Sequence, residues 1–116
     1  MTLIGNEKAE TKTGLYISIR NGLIYLGLGA YKLLGNPEYV QIGIKVANGK
    51  DRLEIFSCKK ESESAHEVKA NETYAYIKET GKLASYLAEK NKKKGTFRIP
   101  CEKGITNDKT SIGFEV

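Results

Sequence analysis

From Tyr39 to Val46 the chain alternates without a break: Val40, Ile42, Ile44 and Val46 fall on one side, Tyr39, Gln41, Gly43 and Lys45 on the other. A period of two marks a strand with one buried face, and a slip of one residue would turn every apolar side chain to water. Asn48-Gly49 follows, and Leu53 and Ile55 return on the same face with Phe56 opposite. Both central residues of a type I′ turn need positive φ, which Asn-Gly supplies, so the spacing predicts a tight hairpin. Asn21-Gly22 repeats the signal between the alternating Leu15, Ile17, Ile19 and the apolar run Leu23–Leu26. Two hairpins with turns this specific commit the chain to an antiparallel sheet.

Helical spacing interrupts the strands twice. After Gly27-Leu28-Gly29, the residues Ala30, Leu33 and Leu34 recur at three and four and predict a short helix. Gly35 supplies a left-handed residue at its end and Asn36-Pro37 prevents continuation. Leu83 and Leu87, with Ala84 and Ala88, predict a second helix over Thr80–Lys90, preceded by a short strand around Tyr74–Ile77. Thr96–Ile99 reads as a strand stopped by Pro100, Ser111–Val116 as the last strand, and Cys101–Thr110 as a long loop. Lys59–Asn71 is charged and serine-rich without apolar period, and reads as an exposed linker.

The order strand, helix, strand, strand thus occurs twice, without matching residues. At 116 residues the chain fits one domain. The expectation is an α+β fold, a small antiparallel sheet with two short helices, built from two βαββ halves. Residues 1–12 are expected to be a flexible N-terminus. The single domain would then cover 13–116, with halves 13–58 and 72–116 joined by the charged linker 59–71. Leu15, Ile17, Ile19, Leu26, Leu33, Leu34, Val40, Ile42, Ile44, Leu53, Ile55, Leu83, Leu87, Ile99, Ile112 and Phe114 are expected in the core.

Several function classes find no support. No stretch approaches the ~18 apolar residues of a membrane span, and Met1-Thr2-Leu3-Ile4-Gly5 runs at once into charge, so a cytoplasmic protein without a membrane partner is expected. Cys58 and Cys101 then read as reduced thiols. His66 is the only histidine and, with two distant cysteines, cannot supply the closely spaced ligand pairs of a zinc site. A Cys58–His66 nucleophilic pair lacks an orienting third group, and the acidic residues are scattered. Gly27-Leu28-Gly29 has neither the Gly-Lys-Ser/Thr of a phosphate loop nor the third glycine of a dinucleotide fingerprint; the glycines serve a sharp turn. No catalytic residue, metal or cofactor is assigned, and the chain reads as a non-enzyme.

Charge and aromatic content point to binding. Lys78–Lys103 holds eight basic and three acidic residues, while the remainder balances at eleven of each, so the whole net charge of +5 sits in one segment. Such an excess attracts phosphates, or else is a solvated loop that keeps the chain in solution. The first reading makes the protein a nucleic-acid-binding regulator that contacts DNA phosphates through Arg20, Lys78, Lys82, Lys90, Lys92, Lys93 and Lys94. The alternative uses the tyrosines: Tyr16 and Tyr39 lie opposite the apolar rows, on a face that either packs a helix or binds a host protein or a small nucleotide. An exposed edge at Ser111–Val116 would favour a homodimer.

The segments Gly22-Leu23-Ile24-Tyr25-Leu26 and Leu34-Gly35-Asn36-Pro37-Glu38-Tyr39-Val40-Gln41, with the helix between them, resemble a group of small uncharacterised proteins. These come from low-G+C Gram-positive bacteria and their phages or mobile elements, and share a Leu-Gly-x-Pro-x-Tyr-Val core. Arg98-Ile99-Pro100 and Ile112 to Val116 match their later elements, and the resemblance implies a mobile-element accessory protein without a known activity. Leu23 through Phe56 also resembles, more faintly, the swapped-hairpin DNA-binding fold of AbrB and MraZ proteins. Those regulators carry arginines around their first helix, where this chain has only Arg20, so their DNA-contacting residues do not transfer.

Overall fold

Both Asn-Gly dipeptides sit in positive-φ turns, Asn21 and Gly22 at 52° and 71°, Asn48 and Gly49 at 54° and 75°. In the computed structural model, which describes residues 15–116, they fold β1 (Tyr16–Arg20) onto β2 (Leu23–Leu26) and β3 (Tyr39–Ala47) onto β4 (Lys50–Ser57). The residues 1–12 read as a flexible N-terminus lie outside the described residues. Helix α1 (Leu28–Leu33) separates the hairpins and ends at Gly35, whose φ is +87°. Next come β5 (His66–Ala70), β6 (Ala75–Ile77), helix α2 (Gly81–Lys90), β7 (Phe97–Pro100), β8 (Glu102–Thr106) and β9 (Lys109–Glu115).

The nine strands of the described residues join one antiparallel sheet in the order β7-β1-β2-β6-β5-β3-β4-β9-β8, a nearly closed, barrel-like array. Two corners close it. At one, β5 changes partners along its length: His66 and Glu67 pair with β3, Val68 to Ala70 with β6. At the other, the two outermost strands are one continuous ribbon bent at Pro100 and Cys101. Its first arm pairs with β1, its second with β9, and the Cys101 amide donates to the Leu15 carbonyl at 2.9 Å in between. Pro100 costs little there, because among the described residues β7 is paired on one side only.

Side chains pointing inward form one core. Ile17, Ile24, Val40, Leu53, Ile55, Ala75, Ile77, Leu87 and Ile112 are fully buried in it. Ala30 and Leu34 bring the α1 end into it, Ala84 and Leu87 the inner stripe of α2. The helices stand at opposite ends of the β1–β2–β6 region: α1 leaves the C-terminal end of β2, whereas Gly81 starts α2 beside the Gly22 carbonyl in the β1–β2 turn.

The expected fold class is therefore corrected. Strands make up 49% and helices 16% of the structure, which is mostly β and not a small sheet with two short helices. Nor do two βαββ halves of the AbrB or MraZ kind stand side by side. Each first-half hairpin lies between second-half strands, β1–β2 between β7 and β6, β3–β4 between β5 and β9, so both flanks of each of these hairpins are paired across the chain's midpoint.

Three local readings change with it. The charged stretch read as a linker contains β5, whose single inward residue of note, Val68, left no apolar period to detect. Cys101–Thr110 is a strand and a turn, not a loop: Asn107 and Asp108, at φ 52° and 61°, join β8 to β9. Ser111–Val116 is no exposed edge, because β9 is paired by β4 on one side and β8 on the other. Ile44 departs from the expected core as well; it is 61% exposed, since β5 pairs with β3 only at Tyr39 and Val40 and leaves the outer flank of β3 uncovered beyond them.

Candidate functional site

The outer surface of β7, β1, β2, β6 and β5 follows from strand register. Ser18 pairs with Arg98 on one side and Tyr25 on the other, Tyr25 with Tyr76, and Tyr76 with Lys69, forming one rung across five strands. Residues two apart along a strand share a face, so the neighbouring rungs follow. One runs through Thr96, Arg20, Leu23, Lys78 and Glu67; the other through Pro100, Tyr16, Gly27 and Tyr74. Inward positions in the same strands are Ile17, Ile19, Ile24, Leu26 and Ile77, all buried. The face is thus fixed as the outward partner of the core.

Four tyrosines and two arginines dominate it. Tyr25, Tyr74 and Tyr76 form an aromatic cluster with ring centroids 5.5–6.1 Å apart, and Tyr74 is 39% exposed. The Arg20 guanidinium lies 4.6 Å over the Tyr25 ring and that of Arg98 lies 4.3 Å over Tyr16. Stacking of this kind holds a guanidinium flat while leaving its N–H edge free. Neither arginine has a carboxylate partner among the described residues, in contrast to Arg52, which binds Glu54 at 3.0 Å and Glu102 at 3.2 Å. Between the two stacked pairs the surface dips into a recess of about 290 Å³. Its rim carries the hydroxyls of Ser18, Thr73 and Thr96, and none of its lining residues is acidic.

The residues singled out from sequence distribute unevenly. Arg20, Lys78 and Tyr16 meet on this face. Lys78 is engaged there with Glu67 at 3.3 Å; Lys69 reaches the same carboxylate at 3.2 Å, and together they hold Glu67 below the usual carboxylate range. Lys82 and Lys90 are exposed on α2, and Lys92, Lys93 and Lys94 lie in the loop after it, Lys93 5.6 Å over the Phe97 ring. That loop leads into Thr96 on the recess rim. Tyr39 is not brought in: it pairs with Glu67, four strand spacings or ~19 Å around the sheet from Arg20.

Tyr25, Tyr74, Tyr76, Arg98, Ser18 and Thr73 were not assigned to a site from the sequence. Tyr25 was within reach of it, since a two-residue turn at Asn21-Gly22 places Ser18 opposite Tyr25. The others depend on pairings between distant strands.

Elsewhere, Glu54 is the one buried carboxylate among the described residues. It accepts from Arg52 and, at 3.3 Å, from the Ser111 hydroxyl, which in turn accepts from Thr106 at 3.2 Å. Fully partnered, these groups tie β4 to β9 and β8 and leave no free acid or base. Burial pushes the Cys101 thiol up to about 12, so it stays neutral, and Cys58 is also raised by burial. His66 Nδ1 lies 2.9 Å from the Lys78 carbonyl oxygen, with no thiol partner. Among the described residues no cluster of three potential ligands could hold a metal, and no helix is long and apolar enough to cross a membrane. Comparison with protein families, with curated proteins and with solved structures yields no match to this chain.

Proposed function

We propose that the protein is a non-enzymatic single-stranded nucleic-acid-binding module, using the outer face of β7, β1, β2 and β6 as its platform. The observation that carries this reading is the grouping of four partly exposed tyrosines with two arginines that have no carboxylate partner among the described residues, all in adjacent rungs of one sheet. Aromatic rings on a sheet offer π-faces to unpaired bases, worth ~1–3 kcal/mol per base, while cations beside them follow the backbone. A duplex hides its base faces in its own stack, so this surface favours single strands. The basic segment acts as an extension: the Lys92–Lys94 loop flanks the recess through Thr96 and adds phosphate contacts beyond the platform.

The test is fluorescence anisotropy of labelled single strands and duplexes of one sequence over a series of salt concentrations. The expected result is tighter binding of the single strand. Tyr25→Ala and Tyr76→Ala should each weaken it by about tenfold at all salts. Replacing Lys92, Lys93 and Lys94 by Gln should mainly flatten the salt slope. Equal or better duplex binding, indifferent to the tyrosines, would remove the stacking role.

A further inference from the structure

We infer that the recess between the stacked arginines receives the phosphomonoester end of a strand, an assignment that rests on the stacking face proposed above. Size is the first argument. About 290 Å³ is at the small end of sites that enclose a ligand, which is room for about one nucleotide and not for a strand passing through. Position is the second: Leu28 and Gly29 at the start of α1, with Thr73 and Tyr74 before β6, line the recess together with Tyr16.

Charge chooses between an internal and a terminal phosphate. A phosphodiester carries one negative charge, whereas a phosphomonoester carries ~−1.5 to −2 at neutral pH and offers three strong acceptor oxygens. Arg20 and Arg98 bring two guanidiniums, no carboxylate among the described residues competes for them, and the lining contains no acid. Two guanidinium charges balance the dianion, whereas the single charge of a diester would leave one of them uncompensated. The Ser18, Thr73 and Thr96 hydroxyls add donors around the same space, and the exposed ring of Tyr74 is available to stack the terminal base.

The experiment compares one single-stranded sequence carrying a 5′-phosphate, a 3′-phosphate or hydroxyls at both ends. In parallel, a nucleoside monophosphate and its nucleoside are titrated by amide chemical-shift perturbation. One phosphorylated strand should bind about tenfold or more tightly than the hydroxyl-ended strand. Arg98→Gln and Arg20→Gln should abolish that advantage while unchanged thermal melting shows the fold intact; the winning end gives the strand's polarity. Equal affinity of all three strands overturns the end-recognition assignment and leaves the stacking platform standing. If no strand binds but the monophosphate shifts the Ser18 and Arg98 amides, the platform reading fails and the recess stands as a mononucleotide site. If neither strands nor monophosphate bind, both are overturned.

Discussion

The Ile24 amide donates a 3.0 Å hydrogen bond to the hydroxyl of Thr80, and that hydroxyl donates in turn to the Ile77 carbonyl at 2.8 Å. Thr80 is 2% exposed and stands at the start of α2, so one side chain fastens the helix to two paired strands behind the tyrosine face. Thr80→Val keeps the shape but strands a buried amide, and should cost ~1–3 kcal/mol in chemical denaturation. Thr80→Ser restores the hydroxyl and should recover most of that loss; equal destabilisation by Ser and Val would show that the methyl group matters and the hydrogen bonds do not.

Glu54 lies directly across from Gly113, with its carboxylate in the space a side chain would fill. A Cβ at Gly113 would also stand 2.9 Å from the Leu53 carbonyl oxygen, which belongs to backbone and cannot swing away. Gly113→Ala should therefore lower stability by ~1–3 kcal/mol through overpacking. Adding Glu54→Ala to it should not restore the wild-type urea midpoint, because the backbone contact remains.

Cys101 makes stability depend on alkaline pH. Its thiol rises from the ordinary 9.0 to about 12 in the folded chain, chiefly because burial disfavours the thiolate. Below pH 9 both forms of the chain hold the proton; between 9 and 12 the unfolded chain releases it first, so the contribution is lost as pH climbs. By pH 10.5 the loss should be ~2 kcal/mol. Urea melts of wild type and Cys101→Ala at pH 8 and pH 10.5 isolate it, since tyrosines and lysines titrate in both proteins. Parallel losses in the two would exclude a buried, neutral Cys101.

Ile44 and Leu53 are cross-strand partners with opposite fates, 61% and 0% exposed. Ile44→Thr should change stability by no more than ~0.5 kcal/mol. Leu53→Ala removes packing from the centre of the core and should cost ~2–5 kcal/mol. Thermal melting of the two variants checks the pair, and comparable losses would place Ile44 inside the core.

Much of the local structure was legible because local chemistry determines it. Asn21-Gly22 and Asn48-Gly49 fixed two hairpins and their registers, Gly35 ended α1, and Leu83 and Leu87 marked α2. Strands with little apolar content were not legible: β5 shows only Val68 to the core between Glu67 and Lys69. β8 offers buried Thr106 and exposed Ile105, the reverse of the expected pattern. The candidate site was half legible for the same reason. Tyr16, Arg20 and Tyr25 are related by a two-residue turn, whereas Tyr76 and Arg98 reach them only through pairings of β6 and β7 with strands some fifty or more residues earlier, which no periodicity encodes.

The ribbon bent at Pro100 and Cys101 sets an order of events during synthesis. As the chain emerges from the ribosome, β1 and β2 can form their hairpin at once, yet the outer flank of β1 waits for β7, and β4 waits for β9. The first strands made are among the last to be covered, and long-range pairing of this kind slows folding. Until the last strands arrive, the nascent protein carries open strand edges that a neighbouring chain could join. A truncation before Phe97 should therefore aggregate as it is made, and the two residues at the bend act as the clasp that ends this exposed interval.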